Sequence, residues 1–218
     1  MNPVLPFPSR RNFLKASAAL TGGVAGVSFL SGTAASQDTD LTIVGPKKGY
    51  TPQIGTLISQ MAFMRDQVLR SVKGMSQKDL DFLLDEKANT IGAMLNHLAA
   101  VDAFYQLNTF ENLSGDKIPE AWKEHWGPAM ELGDPARKLI KGHDLDYYLK
   151  ILSDTREKTL AEFRKRDDTW LMAVDKTWGW GPTNNYCKWF HVTEHEANHN
   201  GQIKFLKSRL PGAKPASE

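Results

Sequence analysis

The stretch Asn185-Tyr186-Cys187-Lys188-Trp189-Phe190-His191-Val192-Thr193-Glu194-His195-Glu196-Ala197-Asn198-His199 decides how this chain is read. Cys187, His191, His195 and His199 recur at every fourth residue, so on an α-helix neighbouring members project from one face, about 6 Å apart along the axis. Adjacent histidines at this spacing can share a metal ion. Members eight apart are separated by about 12 Å of helical rise, too far for two imidazoles to reach one ion at a bond length of about 2 Å. The helix therefore supplies one pair of ligands, and the remainder of a coordination shell has to come from another element.

Outward from this stretch, the pattern predicts a helix from about Thr183 to Arg209 that stops before Pro211, with Gly179, Gly181 and Pro182 marking the turn ahead of it. Thr51 and Pro52 read as an N-cap and first helical position, and Ile54, Leu57, Ile58, Met61, Met64, Val68 and Leu69 follow at helical spacing until Gly74. Ser76 to Asp79 is a capping signal for a minor turn or helix through Leu84. After Asn89 or Thr90, the positions Ile91, Met94, Leu95, Leu98, Val101 and Phe104 give a second long helix with His97 inside it. Residues 111 to 143 break the periodicity with scattered Pro and Gly and read as a long, partly helical crossover. A further helix carries Tyr147, Tyr148, Ile151, Leu152, Leu160 and Phe163. Nothing alternates with period two over a useful length. The expected fold is all-α, a four-helix bundle with a long crossover between helices two and three, an architecture that places metal sites between facing helices.

The N-terminus reads as an address. Ser9-Arg10-Arg11-Asn12-Phe13-Leu14-Lys15 precedes the small, apolar run Ala16 to Leu30, and Thr33 to Ser36 offers small residues for cleavage. The run is Gly- and Ala-rich and shorter than the roughly 20 apolar residues a membrane span needs. This resembles a twin-arginine export signal, and twin-arginine export carries proteins already folded. The implied organisation is a signal over residues 1–35, a linker over 36–49, the bundle over 50–210 and a tail over 211–218. The protein is expected in the periplasm or another extracytoplasmic space, with the twin-arginine machinery as a partner. Taking Arg10, Arg11 and Lys15 from the 27 basic residues leaves 24 against 25 acidic ones, so the mature chain carries no basic surplus to recruit nucleic acid or an anionic membrane. One cysteine permits no intrachain disulfide.

His195-Glu196-Ala197-Asn198-His199 also matches the H-E-x-x-H pattern of zinc proteases, with Glu196 in the place of the general base. The metzincin version wants Gly at 202 and His at 205, where this chain has Gln202 and Phe205, and the only acid after His199 is the terminal Glu218. The protease reading is therefore set aside. His97 lies on or near the apolar stripe of the second helix and is the better third ligand.

Thr90-Ile-Gly-Ala-Met-Leu-Asn-His97-Leu together with Asn185 to Ile203 resembles the DinB family, the DinB/YfiT-like four-helix bundles, over most of the mature chain. In that family one histidine of the second helix and two of the last helix, four apart, bind a divalent metal. The resemblance implies that His97, His195 and His199 are the ligands, with zinc or nickel first among the metals and iron or manganese as further candidates. Characterised relatives include thiol S-transferases and maleylpyruvate isomerases that use low-molecular-weight thiols. The chain departs from them in carrying an export signal.

The expected function is a metal-dependent hydrolase or group transferase, thiol-transferase-like, acting on a small-molecule substrate at an open metal position; the alternative is a non-catalytic metal-binding or assembly module. Glu196 and Asp102 are the candidate proton acceptors. Glu196 stands about 100° around the helix from His195 and reads as solvent-facing, and Asp102, five residues beyond His97, reads as outward-facing. His191 is expected to line the pocket, as are Asn198, Gln202, Trp180 and Tyr186. The aromatics Trp178, Trp180, Tyr186 and Trp189 roof the site or form core or a homodimer face, and Cys187 reads as a buried small side chain. His125 and His143 read as solvent-facing residues of the crossover.

Overall fold

The computed structural model describes residues 41–214. The signal, residues 36–40 of the linker and residues 215–218 of the tail lie outside the described residues. Among the described residues eight helices follow in chain order: α1 (Pro52–Val72), α2 (Gln77–Leu80), α3 (Ile91–Phe110), α4 (Glu120–Glu131), α5 (Gly133–Leu139), α6 (Leu145–Phe163), α7 (Asp168–Met172) and α8 (Asn185–Lys207). A 3-10 turn, Gly115–Lys117, opens the crossover between α3 and α4. None of these helices is long and apolar enough to cross a membrane.

The four long helices form the bundle. α3 packs against α6 and α8, and α1 packs mainly against α8 with a lighter contact to α6. The connection from α3 to α6 is the long crossover expected from the scattered Pro and Gly, and α4 within it lies back against α3. Contrary to a simple amphipathic reading, α3 is buried on nearly every face, because α4 covers the side that the other bundle helices leave open.

Helix starts are set by polar side chains that accept otherwise unpaired amide protons. Thr90 accepts from Ala93 N, Asp144 from Tyr147 N and Asn184 from Cys187 N, while Ser76 and Asp79 form a reciprocal capping box. α1 is capped from a distance. Its Thr51 makes no cap bond to its own helix, and the Asp168 carboxylate of α7 accepts instead from Thr51 Oγ1, Gln53 N and Ile54 N. The negative charge sits at the positive end of the helix, tying α7 to the start of α1.

Three boundaries differ from the sequence expectation. The minor helix after Ser76 stops at Leu80 rather than Leu84, and the last helix spans Asn185–Lys207 rather than 183–209. The two residues at the start of that longer range are taken by a hairpin, β1 (Val174–Asp175) with β2 (Thr183–Asn184), paired Val174 to Asn184 and Asp175 to Thr183. Two-residue strands are too short to show alternation.

The core divides into two apolar clusters. One gathers Val68, Ile91, Leu95, Tyr148, Leu152 and Ile203, and the other Ile54, Met61, Val101, Phe163, Trp189 and Val192. Between them each long helix contributes one buried charge: Arg65 from α1, Asp102 from α3, Arg156 from α6 and Glu196 from α8. Two glycines permit close approaches. A Cβ on Gly55 would stand 2.4 Å from the Lys47 backbone nitrogen, where the segment preceding α1 crosses it, and one on Gly92 would stand 2.8 Å from the Tyr148 ring.

Candidate metal centre

His97, from the middle of α3, and His195 and His199, one turn apart on α8, bring their ring nitrogens together. His97 Nε2 lies 2.8 Å from His195 Nε2, and His199 Nε2 lies 3.1 Å from the same atom. Among the described residues this is the one group whose donor atoms are close enough to hold a metal, all within 4.8 Å of one another. Tetrahedral coordination with metal–nitrogen bonds of about 2.1 Å sets ligand nitrogens about 3.4 Å apart, so a small adjustment of the rings would seat an ion.

Two of the rings are oriented by hydrogen bonds at their far nitrogens. His97 Nδ1 donates to the Ala129 carbonyl at 2.7 Å, which requires the proton on that nitrogen because a carbonyl can only accept. The crossover helix α4 thus fixes the His97 tautomer. His199 Nδ1 donates to Gln202 Oε1 at 3.0 Å. Both Nε2 atoms then present lone pairs to His195 Nε2, which can carry a single proton and so satisfy a single neighbour. Burial keeps the rings neutral: it pushes His97 down to about 4 and, helped by the neighbouring His199 and His97, pushes His195 down to about 3, while His199 is lowered by burial too. Three neutral imidazoles with converging lone pairs and too few protons make a donor set suited to a cation.

His191 stands outside this convergence. Its Nδ1 is 3.0 Å from the Tyr105 hydroxyl, which burial keeps protonated, and its ring lies 5.1 Å from that of His195 and 5.0 Å from that of Trp180. The remaining pocket candidates divide. Gln202 reaches the centre through His199, and Trp180, 58% exposed, flanks it through His191. Asn198 is exposed on α8, and Tyr186 is half-buried against the cluster that holds Trp189. Trp189 is core, its Nε1 donating to Thr109 at 3.0 Å, whereas Trp178 bridges Phe104, Tyr105 and Trp180. Of the crossover histidines, His125 is exposed and His143 stacks on Tyr147 at 3.7 Å.

The proton-acceptor candidates and the cysteine require correction. Asp102 and Glu196 do not face solvent; they are 0% and 1% exposed. Glu196 Oε1 accepts from Arg65 Nη2 at 2.6 Å, Arg65 Nε at 3.1 Å and Arg156 Nη2 at 2.7 Å. Asp102 accepts from Arg156 Nε and from Thr159 Oγ1, both at 2.7 Å. Two arginines on other helices turn these carboxylates inward, and a single-helix projection could not see them. Cys187 is exposed rather than buried, since it opens α8 just past the hairpin. Lys188, its neighbour, is the buried residue there, with Nζ donating to Asn108 and Asp175 at 2.8 Å each and lying 4.2 Å from the Trp178 ring centre. Ala129 and Tyr105 carried no sequence signal, because one acts through its backbone and the other reads as an ordinary core aromatic.

A model of the mycothiol-S-transferase family matches residues 56–212, from the second turn of α1 to beyond α8, and so takes in all three histidines. The chain belongs to the mycothiol-S-transferase family. Its all-helical, DinB-like bundle accords with that membership. Residues 8–26 match the twin-arginine translocation signal, which directs this family member through the twin-arginine machinery to the extracytoplasmic space. No curated protein matches the chain.

Proposed function

We propose that the protein is an exported metal-dependent transferase that holds one divalent ion through His97, His195 and His199 and joins a low-molecular-weight thiol to a small electrophilic substrate. The observation that carries this reading is the convergence of three neutral Nε2 atoms, two of them with their tautomers set by Ala129 and Gln202. Family membership supplies the thiol. Bound by three imidazoles, a zinc or nickel ion keeps an open position and lowers the pKa of a thiol or water there.

The protein's own groups orient and enclose. Ala129 and Gln202 hold the ligand rings, as partners of ligand histidines do generally. Tyr105 holds His191, and Trp180 shields its outer edge, so these two rings line the approach to the centre from the hairpin side. Glu196, through Oε1, and Asp102 are bound by guanidinium groups and buried, so this reading gives neither carboxylate a part in the chemistry. The same reading takes residues 1–35 as the removed signal, 36–49 as linker, 50–210 as the functional bundle and 211–218 as tail.

The test is a thiol titration of the cobalt(II)-loaded mature protein. A sulfur-to-cobalt charge-transfer band that appears with a small thiol and is absent in His195→Ala supports the proposal. Cobalt-loaded protein whose spectrum ignores every thiol offered would remove the transferase reading and leave a metal-binding module.

A further inference from the structure

The four charges buried between the two apolar clusters are arranged with the acids and the bases on separate helices. Asp102 and Glu196 lie on α3 and α8, the two helices that carry the histidines, and Arg65 and Arg156 lie on α1 and α6, which carry none. One guanidinium spans both acids: Arg156 Nε binds Asp102 Oδ2 at 2.7 Å and Arg156 Nη2 binds Glu196 Oε1 at 2.7 Å. The group is planar and rigid, so it fixes the separation of the two carboxylates. Arg65 Nη2 adds a second tie, at 2.6 Å to Glu196 and 3.9 Å to Asp102, and Thr159 holds the other Asp102 oxygen.

Buried ion pairs are poor sources of stability compared with apolar side chains of the same volume, and their best-attested use is to fix register. Here the seam lies between two apolar clusters that leucines would have filled. Glu196 follows His195 directly, and Asp102 is five residues, about 7.5 Å of rise, beyond His97. Any slip or rotation of α8 against α3 that strains the Arg156 contacts moves His195 against His97 by a comparable distance. Metal–ligand bonds tolerate only a few tenths of an ångström.

Resting on the metal reading above, we infer that Arg156, bridging Asp102 and Glu196, is a positioning residue that sets α3 against α8 and thereby aligns His97 with His195 for metal binding. The replacement Asp102→Leu with Arg156→Met removes one neutral pair and leaves the Arg65–Glu196 pair intact. Thr159→Val is the milder perturbation, deleting the hydroxyl that donates to Asp102 and accepts from Gln106.

Cobalt(II) affinity and the visible ligand-field spectrum are measured on the mature wild-type protein and both variants, with helicity checked by circular dichroism. The double variant is expected to stay helical, bind cobalt about tenfold more weakly or worse, and show an altered band shape; Thr159→Val should lose a few-fold in affinity. If the double variant does not fold, Thr159→Val decides. Affinity and spectrum unchanged in the folded variants would overturn the inference while leaving the metal site standing. Wild-type protein that takes up no cobalt would overturn the metal reading and this inference with it.

Discussion

Removing metal should expose a pH dependence of stability that the histidine cluster dictates. In metal-free protein, burial holds His97 neutral down to about 4, whereas in the unfolded chain the same ring titrates near its ordinary 6.5. Between those values the unfolded state binds the proton and the folded state does not. The folded state is therefore favoured fully above pH 6.5, and that advantage is lost progressively as the pH falls toward 4. At 1.36 kcal/mol per unit, the loss from His97 alone reaches about 2 kcal/mol at pH 5 and about 3 kcal/mol near pH 4. His195, His199 and His191 are lowered in the same direction and steepen the fall, with His195 and His191 discounted because solvent screens them.

Urea denaturation of chelator-treated mature protein at pH 7.5, 6 and 5, beside the His97→Gln variant, measures this. The lowered carboxylates Asp79, Asp134, Asp168 and Asp175 act below this window, because their contribution persists until the pH falls through their own folded values. Between pH 7.5 and 5 the wild type should lose about 2 kcal/mol more than the variant. Equal slopes in the two proteins would refute the argument that His97 is held neutral by burial.

Other consequences follow from single contacts. Gly55→Ala should destabilise the fold by about 1–3 kcal/mol in thermal melting, because the new methyl meets the Lys47 backbone rather than a side chain that can swing away. Lys188→Met should raise amide hydrogen exchange through residues 174–184, since Lys188 ties Asp175 of the hairpin to Asn108 of α3, and unchanged protection there would deny it that role. Arg10→Lys with Arg11→Lys should leave the protein in the cytoplasm on fractionation, and efficient export of that variant would contradict the twin-arginine signal.

The fold was legible wherever local chemistry and periodicity agreed. Thr51-Pro52, Thr90 and the apolar spacing from Ile91 to Phe104 marked α1 and α3, and the fourfold spacing of His191, His195 and His199 marked α8. His97 was suggested as the third ligand by its place on the apolar stripe of α3 and matched to the α8 pair through family resemblance, because helix periodicity says which face a residue occupies but not which partner lies opposite. The same limit explains Asp102 and Glu196. A charged side chain is usually exposed, and only the arrival of Arg65 and Arg156 from two other helices makes its burial stable. α4 was hidden by Pro128 and by the break at Leu132, whose backbone takes a positive φ of 56°. Its Ala129 carbonyl acts through the backbone, which no side-chain motif records.

The metal reading puts His97 with His195 and His199 around one ion. Elemental analysis of mature protein purified without a histidine tag, alongside His97→Ala and His191→Ala, tests it most directly. About one divalent metal per chain in the wild type and in His191→Ala, with none in His97→Ala, is the predicted result. Full metal occupancy in folded His97→Ala, or its loss in His191→Ala alone, would contradict it.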